Sequence, residues 1–348
     1  MEEKRNEEDL PFRLEQLDWE LSAPQEGTLA CLKGLEGDIL VLGAGGKMGL
    51  HMCVTLKRAL DALGQGNRVY AASRFQTLNS REAYEENGIE VLAGDFRDKD
   101  FVAGLPRCPT VYYLVGAKFG TSNNPELLRQ INVEVAKDLG EAFKDSRIVA
   151  FSTGCVYSYV TPDSGGSTEE SETDPVGEYA QSCLGRERAF EAVSKAYGTP
   201  VVLIRLNYSV EFRYGVLVDI GQKVLAEKPV DITMGYVNVI WQPDAVNQII
   251  QCLKLAGSPA VPINITGPEV LGVKDLALRF GKTFGKTPTF TGEPAETMWL
   301  SNAAKSHSLL GKPSVSVDRM VEWIARYLEQ GGPTHGKPTG FEKRDGKF

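Results

Sequence analysis

Short apolar runs and longer amphipathic stretches alternate along most of this chain. The apolar runs fall at 38–42, 68–72, 89–92, 111–115, 147–152 and 201–206, and helix-length segments at 47–63, 76–86, 125–144 and 179–197 lie between them. This alternation predicts a parallel sheet with helices on both faces. The runs are apolar throughout instead of alternating with polar residues, as expected for strands covered on both sides. The expected class is α/β, a doubly wound parallel sheet with a smaller C-terminal substrate-binding lobe.

Past residue 207 the pattern loosens. "RYGVLVDIGQKVLAEK" reads as helix, "PVDITMGYVNVIW" as extended, "DAVNQIIQCLKLA" as helix and "VPINITG" as a further strand, with helices near 273–285 and 317–330. The implied organisation is a helical extension over 1–37 and a main domain over 38–208, to which 236–266 return. The lobe is built from 209–235 and 267–330, and a Gly-, Lys- and Pro-rich tail over 331–348 wraps the surface or is mobile. No apolar run approaches the roughly 18–20 residues of a membrane span. The charged start "MEEKRNEEDLPFRLEQ" lacks the apolar stretch of a signal peptide, so a cytoplasmic protein is expected.

Charge and cysteine usage narrow the partners. A net charge of −8 argues against nucleic acid, which wants a basic surface. The six cysteines are scattered without a CxxC pair, and the three histidines are dispersed, so neither a disulfide framework nor a metal site is expected. A small-molecule partner remains.

"ILVLGAGGKMG" at 39–49 points to what is bound. Gly43, Gly46 and Gly49 form G-x-x-G-x-x-G between a strand and a helix, the context in which such a turn holds a diphosphate. The first glycine permits the turn, the second lets the backbone approach the ligand, and the third lets helix and strand pack closely. Gly45, Lys47 and Met48 fill the same turn. The fold expected is therefore of the Rossmann type. The second strand ends in "AASRF", where NAD-selective sites usually carry an acidic residue. Ser73 and Arg74 stand there instead and suit a 2′-phosphate, so NADP is favoured and NAD is the alternative; Arg74 also reads as a surface residue. Asp95 and Phe96, after the third strand, fall where the adenine edge would lie.

With these residues in view the chain resembles the extended short-chain dehydrogenase/reductase family of NAD(P)-dependent sugar epimerases and dehydratases. The resemblance covers roughly 38–330. It rests on "GAGGKMG", Asp95-Phe96, Asn132 in "QINVEVAK", "FSTGCVY" at 151–157, "EYAQSC" at 178–183, "RLNY" at 205–208 and "VIWQPDAV" at 239–246. It implies a catalytic Thr153, matching the family's Ser/Thr, and Tyr179 as the tyrosine of Y-x-x-x-K. Val115, Gly116, Ala117 and Asn207 would border the cofactor. It also implies a homodimer through the helices at 125–144 and 179–197. Leu127, Leu128, Ile131, Val135 and Leu139 recur there at helical spacing, which core packing explains equally well.

The departure is the lysine. Cys183 stands four residues after Tyr179, at the cofactor-side position of the motif, and a thiol supplies no cation. An unperturbed tyrosine titrates near pH ~10, so a neighbouring cation matters. Arg186 comes two turns after Tyr179, ~10 Å along the axis, and is not expected to substitute directly. Lys118, just past the fourth strand, is the candidate cation, and reads equally as a loop lysine. Tyr208, Glu211, Arg213, Tyr214, Asn238 and Trp241 gather where the family holds substrate, and aromatics beside polar groups suit a carbohydrate-like molecule. The leading expectation is hydride transfer on a sugar or sugar derivative. The alternatives are an NADP(H)-binding regulator without turnover, and a lyase or isomerase with a tightly held dinucleotide.

Overall fold

The computed structural model describes Leu10 and residues 12–76, 78–118 and 124–346. The expectations for residues 1–9 and 347–348 lie outside these. Seven parallel strands form one sheet: β1 (Ile39–Leu42), β2 (Val69–Ser73), β3 (Glu90–Ala93), β4 (Thr110–Tyr113), β5 (Arg147–Thr153), β6 (Val201–Leu206) and β7 (Val261–Ile265). Their order is β7-β6-β5-β4-β1-β2-β3. Ile39 is in register with Val69 on one side and Thr110 on the other, so the winding reverses between β1 and β4 and opens a crevice at their carboxyl ends.

The uninterrupted apolar runs have the expected cause. Ile39 and Val41 face one core, with the helices Gly49–Ala62 and Gln242–Gln251, while Leu40 and Leu42 face another, with Val135, Leu139 and Phe190. A third core, in the smaller lobe, gathers Leu217, Ile220, Trp241, Phe280 and Ile324. Leu17 and Leu21 of the N-terminal extension belong to that lobe core and Leu32 to the sheet core, so the extension bridges both.

Several elements differ from the expected spans. The helix expected over 76–86 shortens to Arg81–Glu85, and Lys99–Gly104 and Ala304–Leu310 add helices too short for periodicity to show. The segment 125–144 is broken by a π-helical turn at Gln130–Glu134, which buries Asn132. Of 236–266, the helix Gln242–Gln251 and β7 join the sheet, whereas Tyr236–Val237 pairs antiparallel with Leu271–Gly272 away from it. Leu128, Val135 and Leu139 are buried within the chain, as core packing requires, while Leu127 and Ile131 are half-buried. The tail is ordered through Gly346 and packs against both lobes.

Candidate functional site

At the carboxyl ends of β1 and β4 lies a cavity of about 560 Å³. Its floor is the glycine turn. Gly43 takes φ +82°, and a Cβ there would stand 2.6 Å from Val115 N; one at Gly49 would stand 1.7 Å from Ala44 O. Those two glycines serve the fold. Gly46 is different: a Cβ there would meet nothing nearer than Gly43 O at 3.6 Å, so the space it leaves belongs to the cavity. The helix Gly49–Ala62 begins here without a side-chain cap, the kind of helix start at which an anion binds. Asn207 borders the same cavity, and its buried Nδ2 has no partner among the described residues. An open cradle, an uncapped helix start and an unpaired amide fit a dinucleotide.

Most of the expected cofactor residues line this cavity: Gly45, Lys47 and Met48 on the floor, and Val115, Gly116 and Ala117 along one wall. That wall is held from behind, since Asn132 Oδ1 accepts the Ala117 amide at 2.8 Å and its Nδ2 donates to Ser182 Oγ at 2.8 Å. Ser73, Arg74, Asp95 and Phe96 line the other end. The Asp95 carboxylate is gripped by Arg97 (Nη2–Oδ2 2.5 Å), which holds it down at about 2.

Thr153, Tyr179 and Lys118 open on the same cavity. Thr153 ends β5, and its hydroxyl oxygen accepts the Cys155 amide at 3.2 Å. Lys118 Nζ lies 5.4 Å from the centre of the Tyr179 ring. Cys183 corrects its expected place at the cofactor: it is fully buried beneath the tyrosine, outside the cavity. Arg186 corrects the expectation that it lies too far along the helix. Side chains of a helix lean toward its N-terminus, and the Arg186 guanidinium reaches back to donate to Cys183 Sγ at 2.9 Å and Val115 O at 3.0 Å. A Cβ at Gly116 would come within 3.0 Å of its Nη1, so a side chain there would crowd it. Lys118 therefore stands over the Tyr179 ring, while the Arg186 guanidinium is held on Cys183, one helical turn past the tyrosine. Burial pushes the phenol well above its ordinary range, the Cys183 and Cys155 thiols add to the rise, and Arg186 opposes it.

The expected substrate residues divide. Tyr208 and Tyr214 line the cavity, Tyr208 in a left-handed conformation with φ +42°. Glu211, Arg213, Asn238 and Trp241 do not, and each has a structural occupation. Asn238 fastens Ser301 N and Glu269 O; Trp241 packs against Phe12, Phe212 and Trp323. Arg213 bonds Glu211 (3.2 Å) and Asp18 (2.7 Å), and Asp18 lies 2.9 Å from His51 Nε2, which clasps the N-terminal extension to the body. Arg213→Ala is expected to cost about 3 kcal/mol in denaturant unfolding, because the buried Glu211 carboxylate would lose its guanidinium. Cofactor affinity should not change; a loss of affinity without a loss of stability would return Arg213 to the ligand site.

Sequence reasoning missed Lys337 and Thr339, which line the cavity from the tail. The lysine-rich composition of the tail was the only available signal. Among the described residues no cluster of His, Cys, Asp or Glu could hold a metal, and no helix is long and apolar enough to cross a membrane.

Residues 39–210 match the model of the NAD dependent epimerase/dehydratase family. No curated protein matches the chain. Solved structures share the fold. UDP-glucuronic acid 4-epimerase from Bacillus cereus, in complex with NAD, is 21% identical with a TM-score of 0.69, over 85% of this chain and 99% of that one. UDP-glucose 4-epimerase from Thermus thermophilus, in complex with NAD, is 19% identical with a TM-score of 0.69, over 84% and 99%. Pal from Bacillus thuringiensis is 20% identical with a TM-score of 0.70, over 84% and 99%. The matched segment holds the glycine turn, Thr153 and Tyr179, and over residues 39–210 the chain is similar to the NAD dependent epimerase/dehydratase family.

Proposed function

We propose that this protein is an NAD(P)-dependent enzyme that moves a hydride to or from a sugar derivative while Tyr179 handles the proton. One observation carries the reading: Thr153, Tyr179 and Lys118 open on the cavity whose floor is the glycine turn. The cofactor, held by the turn, Asn207 and the wall 115–117, supplies the hydride chemistry. Thr153, oriented by the Cys155 amide, is placed to bond the substrate oxygen. Tyr179 donates its proton to that oxygen when a carbonyl is reduced and removes it when an alcohol is oxidised. Lys118 and Arg186 together stand in for the cation that Cys183 does not supply. Turnover of NAD(P)H with a panel of sugar derivatives, in wild type and Tyr179→Phe, tests the reading.

NADP is the preferred cofactor in this proposal. Ser73 ends β2 and the exposed Arg74 follows it at the cavity rim, and Asp95, the carboxylate among the lining residues, is committed to Arg97. Arg74→Ala is expected to weaken NADPH by about tenfold or more, the worth of a charge-assisted contact, and NADH hardly at all. Equal losses in a fluorescence titration would assign NAD instead. A regulator without turnover is the second reading, favoured by Cys183 at the lysine position. NADPH binding with no consumption across sugars, sugar acids and sugar phosphates would establish it.

A further inference from the structure

The tail supplies Lys337 and Thr339 to the cavity, and the chain around them is pinned. Before them, the His335 amide donates to Arg213 O at 3.0 Å. After them, Phe341 is sunk in the lobe core, and the Arg344 carbonyl accepts the Tyr159 hydroxyl at 2.8 Å. The segment that matches the family model ends at residue 210, so this strap lies wholly outside it.

Thr339 is the point at which the strap meets both halves of the molecule. Its amide and its hydroxyl donate to Asp219 Oδ2, at 2.8 and 2.6 Å, on the lobe helix Val216–Leu225. The hydroxyl oxygen also accepts the Phe341 amide at 3.2 Å, which turns the strap into the lobe core. The Thr339 carbonyl accepts the Lys118 ammonium at 3.4 Å, from the chain that follows β4. Lys118 in turn stands 5.4 Å from the centre of the Tyr179 ring. A line of contacts thus runs from Asp219 through Thr339 and Lys118 to Tyr179.

We propose that Thr339 is a positioning residue of the reaction centre: latched to Asp219, it holds the Lys118 ammonium over Tyr179 with its carbonyl. The tail then completes the site from 221 positions further along the chain than Lys118. The inference rests on the reading of Lys118 as a cation at Tyr179, and adds what fixes it there. A lysine side chain has many rotamers, so an ammonium outside regular structure needs a fixed acceptor to keep one place. A backbone carbonyl serves only if its own residue is fixed. Here two charge-assisted bonds to one carboxylate oxygen do that. Burial raises the Asp219 carboxyl and the two Thr339 donors pull it back, so the same bonds favour the charged latch.

Two measurements on the full chain test the proposal, the first without cofactor or substrate. Acetylation by sulfosuccinimidyl acetate, read residue by residue in a mass spectrometer, reports how firmly Lys118 is held. Thr339→Val keeps the shape and removes the hydroxyl donor, and should speed Lys118 labelling about tenfold, as loss of one charge-assisted contact would. Thr339→Ser restores the donor and should recover most of the protection. The exposed Lys282 should label alike in all three proteins. The second measurement is turnover on whichever sugar derivative the NAD(P)H panel identifies. Thr339→Val should lower kcat about tenfold and leave NADPH affinity unchanged. Placed on Lys118→Met it should add no further loss, because residues that act as one line are not additive. Unchanged Lys118 labelling in Thr339→Val, a loss confined to NADPH affinity, or losses that add in the double variant would overturn the proposal. Full kcat in Lys118→Met would sink this inference and leave the tyrosine reading standing. No turnover across the panel would sink the proposed function, while faster Lys118 labelling would still establish the hold of the strap.

Discussion

Tyr179→Phe is expected to lower turnover by about 10²–10⁴-fold, the range a positioned acid or base contributes, while NAD(P)H binds as before. The change removes one oxygen and keeps the ring against Lys118, so the cavity and the glycine turn persist. The pH dependence gives a second reading of the same group. Burial and the Cys183 and Cys155 thiols hold the phenol well above its usual range, with Arg186 pulling the other way. At neutral pH the tyrosine is therefore protonated. Carbonyl reduction consumes that proton, so its rate should stay level through neutrality and fall only once the phenol ionises. Alcohol oxidation needs the phenolate, whose share grows about tenfold per pH unit below the pKa, so its rate should climb throughout the alkaline range. Assays in both directions across neutral and alkaline pH check both slopes. Full activity in Tyr179→Phe would remove the tyrosine from the chemistry and leave Lys118 as the next group to test.

The sheet was legible because its strands are buried on two sides. Ile39 and Val41 serve one core, Leu40 and Leu42 the other, and a run with no polar face records that directly in sequence. The glycine turn was legible for a related reason. Gly43 and Gly49 meet backbone within 3 Å of where a Cβ would be, so their identity is set by local geometry. Arg186 was misjudged because distance along a helix axis ignores the length and tilt of the side chain. Its guanidinium returns one turn to Cys183, and that also bears on repairing the motif: a lysine at 183 would set its ammonium against Arg186.

The substrate half was far less readable. Glu211 and Arg213 have the right chemistry for a ligand and the right place in sequence, yet they pair with each other, and Arg213 also with Asp18, a partner 195 residues away in the chain. Nothing local distinguishes an arginine that clasps an extension from one that clasps a carboxylate. Lys337 shows the converse. It sits in a stretch whose Gly and Pro content reads as loose, and its position is fixed by Thr339 on Asp219 and by Phe341 in the lobe core, contacts that only the folded lobe provides.

Gly46→Val should abolish dinucleotide binding while leaving the fold intact, and this pairing of outcomes is the strongest test of the cofactor site. The backbone at Gly46 does not require a glycine: its φ is not in the left-handed region, and an added Cβ would find Gly43 O at 3.6 Å as its nearest neighbour, ordinary van der Waals contact. A valine is therefore tolerated by the protein itself and projects into the space before the start of the helix Gly49–Ala62. A diphosphate bound there needs direct approach to backbone amides. The branched side chain denies that approach, and the affinity lost should be at least that of one charge-assisted contact, about 1.5–3 kcal/mol, with further loss from the displaced phosphates. Thermal unfolding of the free protein should shift little, and NADPH fluorescence should show no saturable binding. The contrast with Gly49 makes the measurement specific. A Cβ at Gly49 would stand 1.7 Å from Ala44 O, so Gly49→Val should unfold the turn and lose stability and binding together. Normal NADPH binding in a folded Gly46→Val protein would remove the cofactor from this turn, and with it the reason for Tyr179 and Lys118 to face the same cavity.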